Sequence, residues 1–129
     1  MFFQIDPHNG LAIYEQVVRQ VKFAVASDVL TTGDLVPSVR EVARELAINP
    51  NTVARAYRML QDQQVLQSVR GTGLAVADGA GPRCREERIE LIQERLKKVL
   101  AEAKQSRLDG NQLRELVERE LAALENGEE

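Results

Sequence analysis

The chain has 129 residues, a formal net charge of -3, 43% hydrophobic and 4% aromatic content, and no Trp; this suits one folded domain or a small domain with an appendage, and excludes a disordered chain. With so few aromatics the core must be Leu, Val, Ile and Ala, which suits helices better than a sheet-rich sandwich. A single cysteine, Cys84, excludes an internal disulfide; no apolar run approaches the roughly 18 residues of a membrane span, and the opening residues lack the basic flank and long apolar stretch of a signal peptide, so a cytoplasmic protein is expected.

Phe2 to Ile5 reads as a short strand, followed by the turn formers Asp6-Pro7-His8-Asn9-Gly10. Across residues 11–30, Ile13, Val17, Val21, Ala24 and Val25 recur at helical spacing. Thr31-Thr32-Gly33-Asp34 ends that helix. A second helix begins at Ser38, which follows Pro37 and precedes Glu41 by three residues. This is a capping box: the Ser hydroxyl takes a free amide in the first turn, and the Glu reaches back. Val39, Val42, Ala43 and Leu46 form its apolar stripe. A third helix follows almost at once, with Asn49 as cap and Pro50 where no amide donor is needed. Its stripe is Val53, Ala56, Tyr57 and Leu60. Two short helices so tightly joined predict a helix-turn-helix. The β-prone runs 65–69 and 74–76 flank Arg70-Gly71-Thr72-Gly73, which predicts a β-hairpin. A hairpin placed directly after a helix-turn-helix is a wing.

Asp78-Gly79-Ala80-Gly81-Pro82 has the composition of a linker, and Cys84 beside it reads as an inert linker thiol. Beyond it, Ile89, Ile92, Leu96, Val99 and Ala103 alternate steps of three and four, as in a heptad seam. Asp109-Gly110-Asn111 breaks that helix, and Leu113, Leu116, Val117, Leu121 and Leu124 mark a last one. A helical hairpin of about forty residues buries too little to stand alone, so Ile89, Ile92, Leu96, Val99, Leu113, Leu116, Val117 and Leu121 are expected to face a partner, most simply a second copy. The expected architecture is mainly α with a small β-hairpin wing, an α+β winged helix-turn-helix followed by a two-helix dimerisation tail. The boundaries are 1–77 for the head, 78–82 for the linker and 83–129 for the tail.

The stretch Gly33-Asp34-Leu35-Val36-Pro37-Ser38-Val39-Arg40-Glu41-Val42-Ala43 resembles the GntR family of bacterial regulators. So do Asn49-Pro50-Asn51-Thr52-Val53-Ala54-Arg55-Ala56-Tyr57, Leu60 and Gly71-Thr72-Gly73. Ile13-Tyr14-Glu15-Gln16-Val17 is similar to the family's opening helix. Three positions depart from the pattern: Leu11 stands where the family usually has Pro, Val36 where it has Leu, and Gln64 where it has Gly. The short remainder after the wing is similar to the YtrA subfamily, in which the resemblance implies a two-helix dimerisation tail.

The acid excess lies wholly in residues 78–129, whereas residues 1–77 balance seven basic against seven acidic groups. Within 37–72 five arginines face three acids, a modest local excess that by itself does not make the case for nucleic acid. In a helix-turn-helix the start of the recognition helix meets base edges while the preceding helix grips the backbone. Asn49, Asn51 and Thr52 at that start can both donate and accept. Arg55 lies on the same helix's polar side, and Arg70, Gly71 and Thr72 form the wing tip, where an Arg suits a narrow minor groove. The resemblance adds Arg40, reaching a phosphate or guanine, and Ser38, reaching a phosphate. Arg44 and Arg58 are weaker backbone candidates.

The expected partner is a double-stranded DNA operator, an inverted repeat bound by a homodimer that represses transcription, with no membrane partner and no effector indicated. No cofactor, metal site or catalytic constellation is expected: there is one His, His8, in a turn, and Gly71-Thr72-Gly73 is too short for a nucleotide motif. Two alternatives stay open: an effector- or metal-gated sensor with a site in the dimer interface, and an adaptor whose winged helix does not read DNA.

Overall fold

The first apolar stripe coils into α1, Ile13–Ala26. Val17, Val18, Val21, Ala24 and Val25 are buried on it. The helix stops short of residue 30 because Asp28 turns left-handed and the amides of Val29 and Leu30 both bond the Ala24 carbonyl, at 2.9 and 3.1 Å. That turn tucks Leu30 into the core. The computed structural model describes residues 3–127.

The predicted strand at the N-terminus is not formed over residues 3–5, and Phe2 lies outside the described residues. Side chains of α1 do there what a strand ladder would do. The Gln20 side chain accepts from the Gln4 amide at 2.6 Å and donates to the Gln4 carbonyl. Gln16, itself buried, accepts from the Asp6 amide at 2.9 Å and donates to the Asp6 and Leu11 carbonyls at 2.8 and 3.1 Å. With those backbone groups satisfied, Phe3 can insert into the core without a partner strand.

Then come α2, Val39–Leu46, and α3, Pro50–Asp62. Between them Ala47 adopts a left-handed conformation at φ 54°, so three residues suffice to turn the chain. Val42, Ala43, Val53, Ala56, Tyr57 and Leu60 are the buried faces, in register with the predicted stripes. α3 packs on both α1 and α2. Its end is set by Gln64, at φ 61°. This is the position where the sequence departs from Gly, and the left-handed turn is kept despite the side chain.

The hairpin is β1, Leu66–Val69, antiparallel to β2, Gly73–Val76, with Val69 opposite Gly73. The connection between α1 and α2 lies along the free edge of β2. Gly33 and Val36 donate to the Val76 and Leu74 carbonyls at 2.9 and 3.0 Å, Val76 donates back to Asp34 at 2.9 Å, and Leu35 bridges Ala75. Gly33 and Asp34, part of the stretch expected to end the first helix, therefore also anchor the wing.

Helix α4 runs Ala80–Gln105 and α5 Gly110–Glu125. Residues 80–82, read as linker, are the first turn of α4. Gly79, at φ 75°, supplies the turn before it, and Pro82 costs nothing there because amides of a first turn have no intrahelical acceptor. Ala80 and Cys84 are fully buried in the same core as α1 and α3, so Cys84 is a core residue and not a linker thiol. Burial, with Glu87 adding to it, raises the Cys84 thiol above its ordinary range despite opposing Lys22, Arg83 and Arg85. Arg83 donates to the Gln64 carbonyl, and Lys22, almost wholly buried, pairs with Glu87 at 2.6 Å.

By contacts the chain forms two units, Met1–Ile89 and Glu90–Glu129. In the second unit Ala103 is buried, and Leu108 donates back to its carbonyl at 3.1 Å. Asp109 caps α5 in a second capping box with Gln112, so Gly110 and Asn111, read as a break, already belong to its first turn. α5 buries none of its residues.

Candidate nucleic-acid interface

The start of α2 is organised by Ser38. Its hydroxyl oxygen accepts from the Glu41 amide at 3.1 Å, and the Glu41 carboxylate accepts from the Ser38 amide at 3.2 Å. The cap uses Ser38 as an acceptor and leaves its hydroxyl proton to donate outward. Arg40, two residues on, is exposed, and among the described residues no ion pair joins it to Glu41 or Glu45.

The start of α3 is built the same way. The Asn49 side-chain oxygen accepts from the Asn51 amide at 2.8 Å, which leaves the Asn49 amide hydrogens free to donate. Asn51 is exposed and Thr52 half-buried. Arg55, one turn beyond Asn51 on the same side, is exposed too, and its guanidinium lies 3.7 Å from the centroid of the Tyr14 ring of α1. Arg44 and Arg58 are exposed on the polar sides of α2 and α3.

Tyr57 ties the two helix starts together. Its phenol donates to the Pro37 carbonyl at 2.6 Å across twenty residues of chain. Burial, and secondarily the Glu41 charge, holds that phenol far above its ordinary ionisation range, so it remains a donor. The expectation that Tyr57 is a core residue is met, and its hydroxyl fixes where α2 begins relative to α3.

At the wing tip, Thr72 donates back to the Val69 carbonyl at 2.9 Å, with Gly71 at φ 75°. This positive φ at the third position of the turn is the one that favours glycine. Arg70 precedes it and is exposed, as are Gly71 and Thr72. A cleft of about 410 Å³ separates the wing from the start of α2, lined by Leu35, Ser38, Glu41, Tyr57, Thr72 and Leu74.

Ser38 and Arg40, Asn49, Asn51, Thr52 and Arg55, and Arg70, Gly71 and Thr72 thus stand on three neighbouring elements of one unit, the turn of the wing completing the set. Donors outnumber free acceptors, the balance a phosphate backbone requires. The sequence reading assigned Tyr14 no role in this surface. The signal was present: in an aromatic-poor chain it is a half-buried ring beside the α1 stripe, not in it.

A family model described as bacterial regulatory proteins, gntR family, matches residues 13–76, which hold every one of these side chains. The HTH-type transcriptional repressor YtrA of Bacillus subtilis strain 168 is 32% identical over 124 residues, 96% of this chain and 95% of that protein. The chain belongs to the GntR family.

The likeness runs through the tail as well as the head, and puts this GntR protein with the YtrA subfamily. A transcriptional regulator from Oenococcus oeni shares 32% identity and superposes with a TM-score of 0.63 over 93% of this chain and 99% of that one. YtrA from Sulfolobus acidocaldarius, a GntR-family transcription factor, shares 28% at a TM-score of 0.57, over 78% of this chain and 99% of its own. The winged helix-turn-helix with a helical tail is shared with these GntR relatives, and this GntR protein is a DNA-binding transcription regulator. Among the described residues no helix is long and apolar enough to cross a membrane, and no group of His, Cys, Asp and Glu is arranged to hold a metal ion.

Proposed function

We propose that the protein is a homodimeric repressor that binds an inverted-repeat operator. Each head sets the start of α3 in the major groove, where Asn49, Asn51, Thr52 and Arg55 meet base edges and phosphates. Ser38 and Arg40 hold the adjoining backbone from α2. Arg70, with Gly71 and Thr72 shaping the turn, reaches the flanking minor groove. The observation that carries this reading is the exposed polar set at the starts of α2 and α3, where the caps use Ser38 and Asn49 as acceptors and leave their donors free.

A second copy supplies the symmetry. The tail leaves Ile92, Leu96, Val99, Leu116, Val117 and Leu121 between 39% and 56% exposed, far too much apolar surface along two helices to leave in water. Ile89 is exposed and Leu113 half-buried on the same helices. Matching stripes on two copies would cover one another, and a twofold dimer calls for a twofold site. The region 83–129 is the dimerisation region in this reading. Repression follows from covering a promoter, as the name of the Bacillus subtilis relative suggests. Its place of work is the cytoplasm, where the DNA is.

Selection of random duplex DNA on the purified protein, with binding repeated at two salt concentrations, tests the proposal. An enriched inverted repeat whose affinity falls steeply with salt is expected. A single unrepeated half-site would contradict the dimer, and no enriched sequence would contradict operator reading.

A further inference from the structure

Arg55 ends in a long side chain whose freedom must be given up on binding, at a cost of up to about 2 kcal/mol in rotamer entropy. In the structure that freedom is already restricted. The guanidinium stacks on the Tyr14 ring at 3.7 Å, and among the described residues no carboxylate pairs with Arg55. Tyr14 is a firm support. It stands in the first turn of α1, half-buried and packed against the hydrophobic core. Stacking occupies only the flat face of a guanidinium and leaves the N–H donors along its edge free.

We propose that Tyr14 is a positioning residue for DNA recognition. Its ring holds the Arg55 guanidinium flat at the surface of α3, edge outward, so that Arg55 meets the DNA in a rotamer selected beforehand. Tyr14 thereby sets affinity and base preference without touching the DNA. The inference rests on the reading that the start of α3 faces DNA.

The test measures binding of the dimeric protein to its selected operator, and to operators altered one base pair at a time, for variants checked by thermal melting. Arg55→Ala is expected to weaken operator binding by at least about fivefold, the lower end for a lost base contact. Tyr14→Leu should weaken it about two- to fivefold, as for an exposed cation–π contact. It should relax preference at the same base pair as Arg55→Ala, and add nothing when combined with it. Tyr14→Phe keeps the ring and should bind as the parent does. Arg55→Lys keeps the charge without the flat face, and should fall with Tyr14→Leu; it is exposed and secures the test should Tyr14→Leu not fold.

A Tyr14→Leu loss equally large in the Arg55→Ala background would show a purely structural role and overturn the proposal. So would parent-like binding by Arg55→Lys. Parent-like binding by Arg55→Ala would also overturn it, while leaving operator reading by the rest of α3 intact. Failure of the parent protein to select any operator would remove the reading beneath it.

Discussion

Arg40 stands two residues past the Ser38 cap with its guanidinium in solvent. The obvious competing use of such a side chain, an ion pair with Glu41 or Glu45, is not made among the described residues. Arg40→Ala should therefore leave the melting temperature unchanged and weaken operator binding by about 1–3 kcal/mol if it reads a base. Equal affinity in a titration would strike Arg40 from the interface. Cys84 belongs instead to the core, where it is fully buried. Its buried thiol is held above its ordinary range, whereas in the unfolded chain a thiol ionises near pH ~8.5. Below that pH both states keep the proton and Cys84 adds no pH dependence. Above it the unfolded state sheds the proton first, so stability falls as pH rises toward the folded value. Urea midpoints from pH 7.5 to 10 should thus decline more steeply for the parent than for Cys84→Ala; parallel slopes would contradict this. At this scale Ser38 and Asn49 were legible because caps are local. Cys84 was not, since its surroundings come from helices distant in sequence.

Among the elements, the root of α4 departs most from what its sequence suggested. Gly79 to Pro82 has linker composition, yet those residues are small enough, and Pro82 early enough in the helix, for a first turn to form against the head. The contacts that secure it include the buried Ala80 and Cys84, the bond from Arg83 to the Gln64 carbonyl, and the Lys22–Glu87 and Arg85–Asp28 pairs. The Lys22–Glu87 pair is asymmetric. The Lys22 side chain is 4% exposed and that of Glu87 36%. Glu87→Gln would leave an ammonium buried without a counter-charge, though still within reach of an amide oxygen, at a cost of about 1–3 kcal/mol, whereas Lys22→Met keeps the apolar stem and leaves a carboxylate that water reaches, at under about 1 kcal/mol. Chemical denaturation of the two variants distinguishes them, and the reverse order would refute the asymmetry. Helices α2 and α3 and the hairpin were legible because periodicity, caps and Gly71 all act within a few residues. The edge pairing of residues 33–36 with β2 was not. A single bridge at Leu35 carries no alternating pattern.

For the molecule as a whole, the exposed apolar stripes of the tail are the feature on which the proposed dimer rests. α5 buries nothing, and Leu96 is 48% exposed midway along its stripe on α4. Leu96→Asp would place a charge where the second copy is proposed to pack. Sedimentation should show a species near 14.4 kDa where the parent sediments near twice that mass. Melting of the head should persist, and affinity for a two-half-site operator should fall steeply as the second head is lost. A variant that remains dimeric would place the interface elsewhere.

By itself the sequence determined helices α1, α2, α3 and α5, the helix-turn-helix with its wing and the caps at the starts of α2 and α3, and the resemblance of its motifs pointed to the GntR family. The elements and their caps depend on periodicity, capping and turn chemistry, all of which act between residues close along the chain. Only the tertiary structure decided that the N-terminal segment is held by Gln16 and Gln20 and not by a strand. It likewise decided that the linker is a helix rooted in the core by Cys84, that Tyr57 locks the start of α2, and that Tyr14 carries Arg55. Nearly all of these contacts join residues ten or more positions apart, and they arise from packing, on which local pattern is silent.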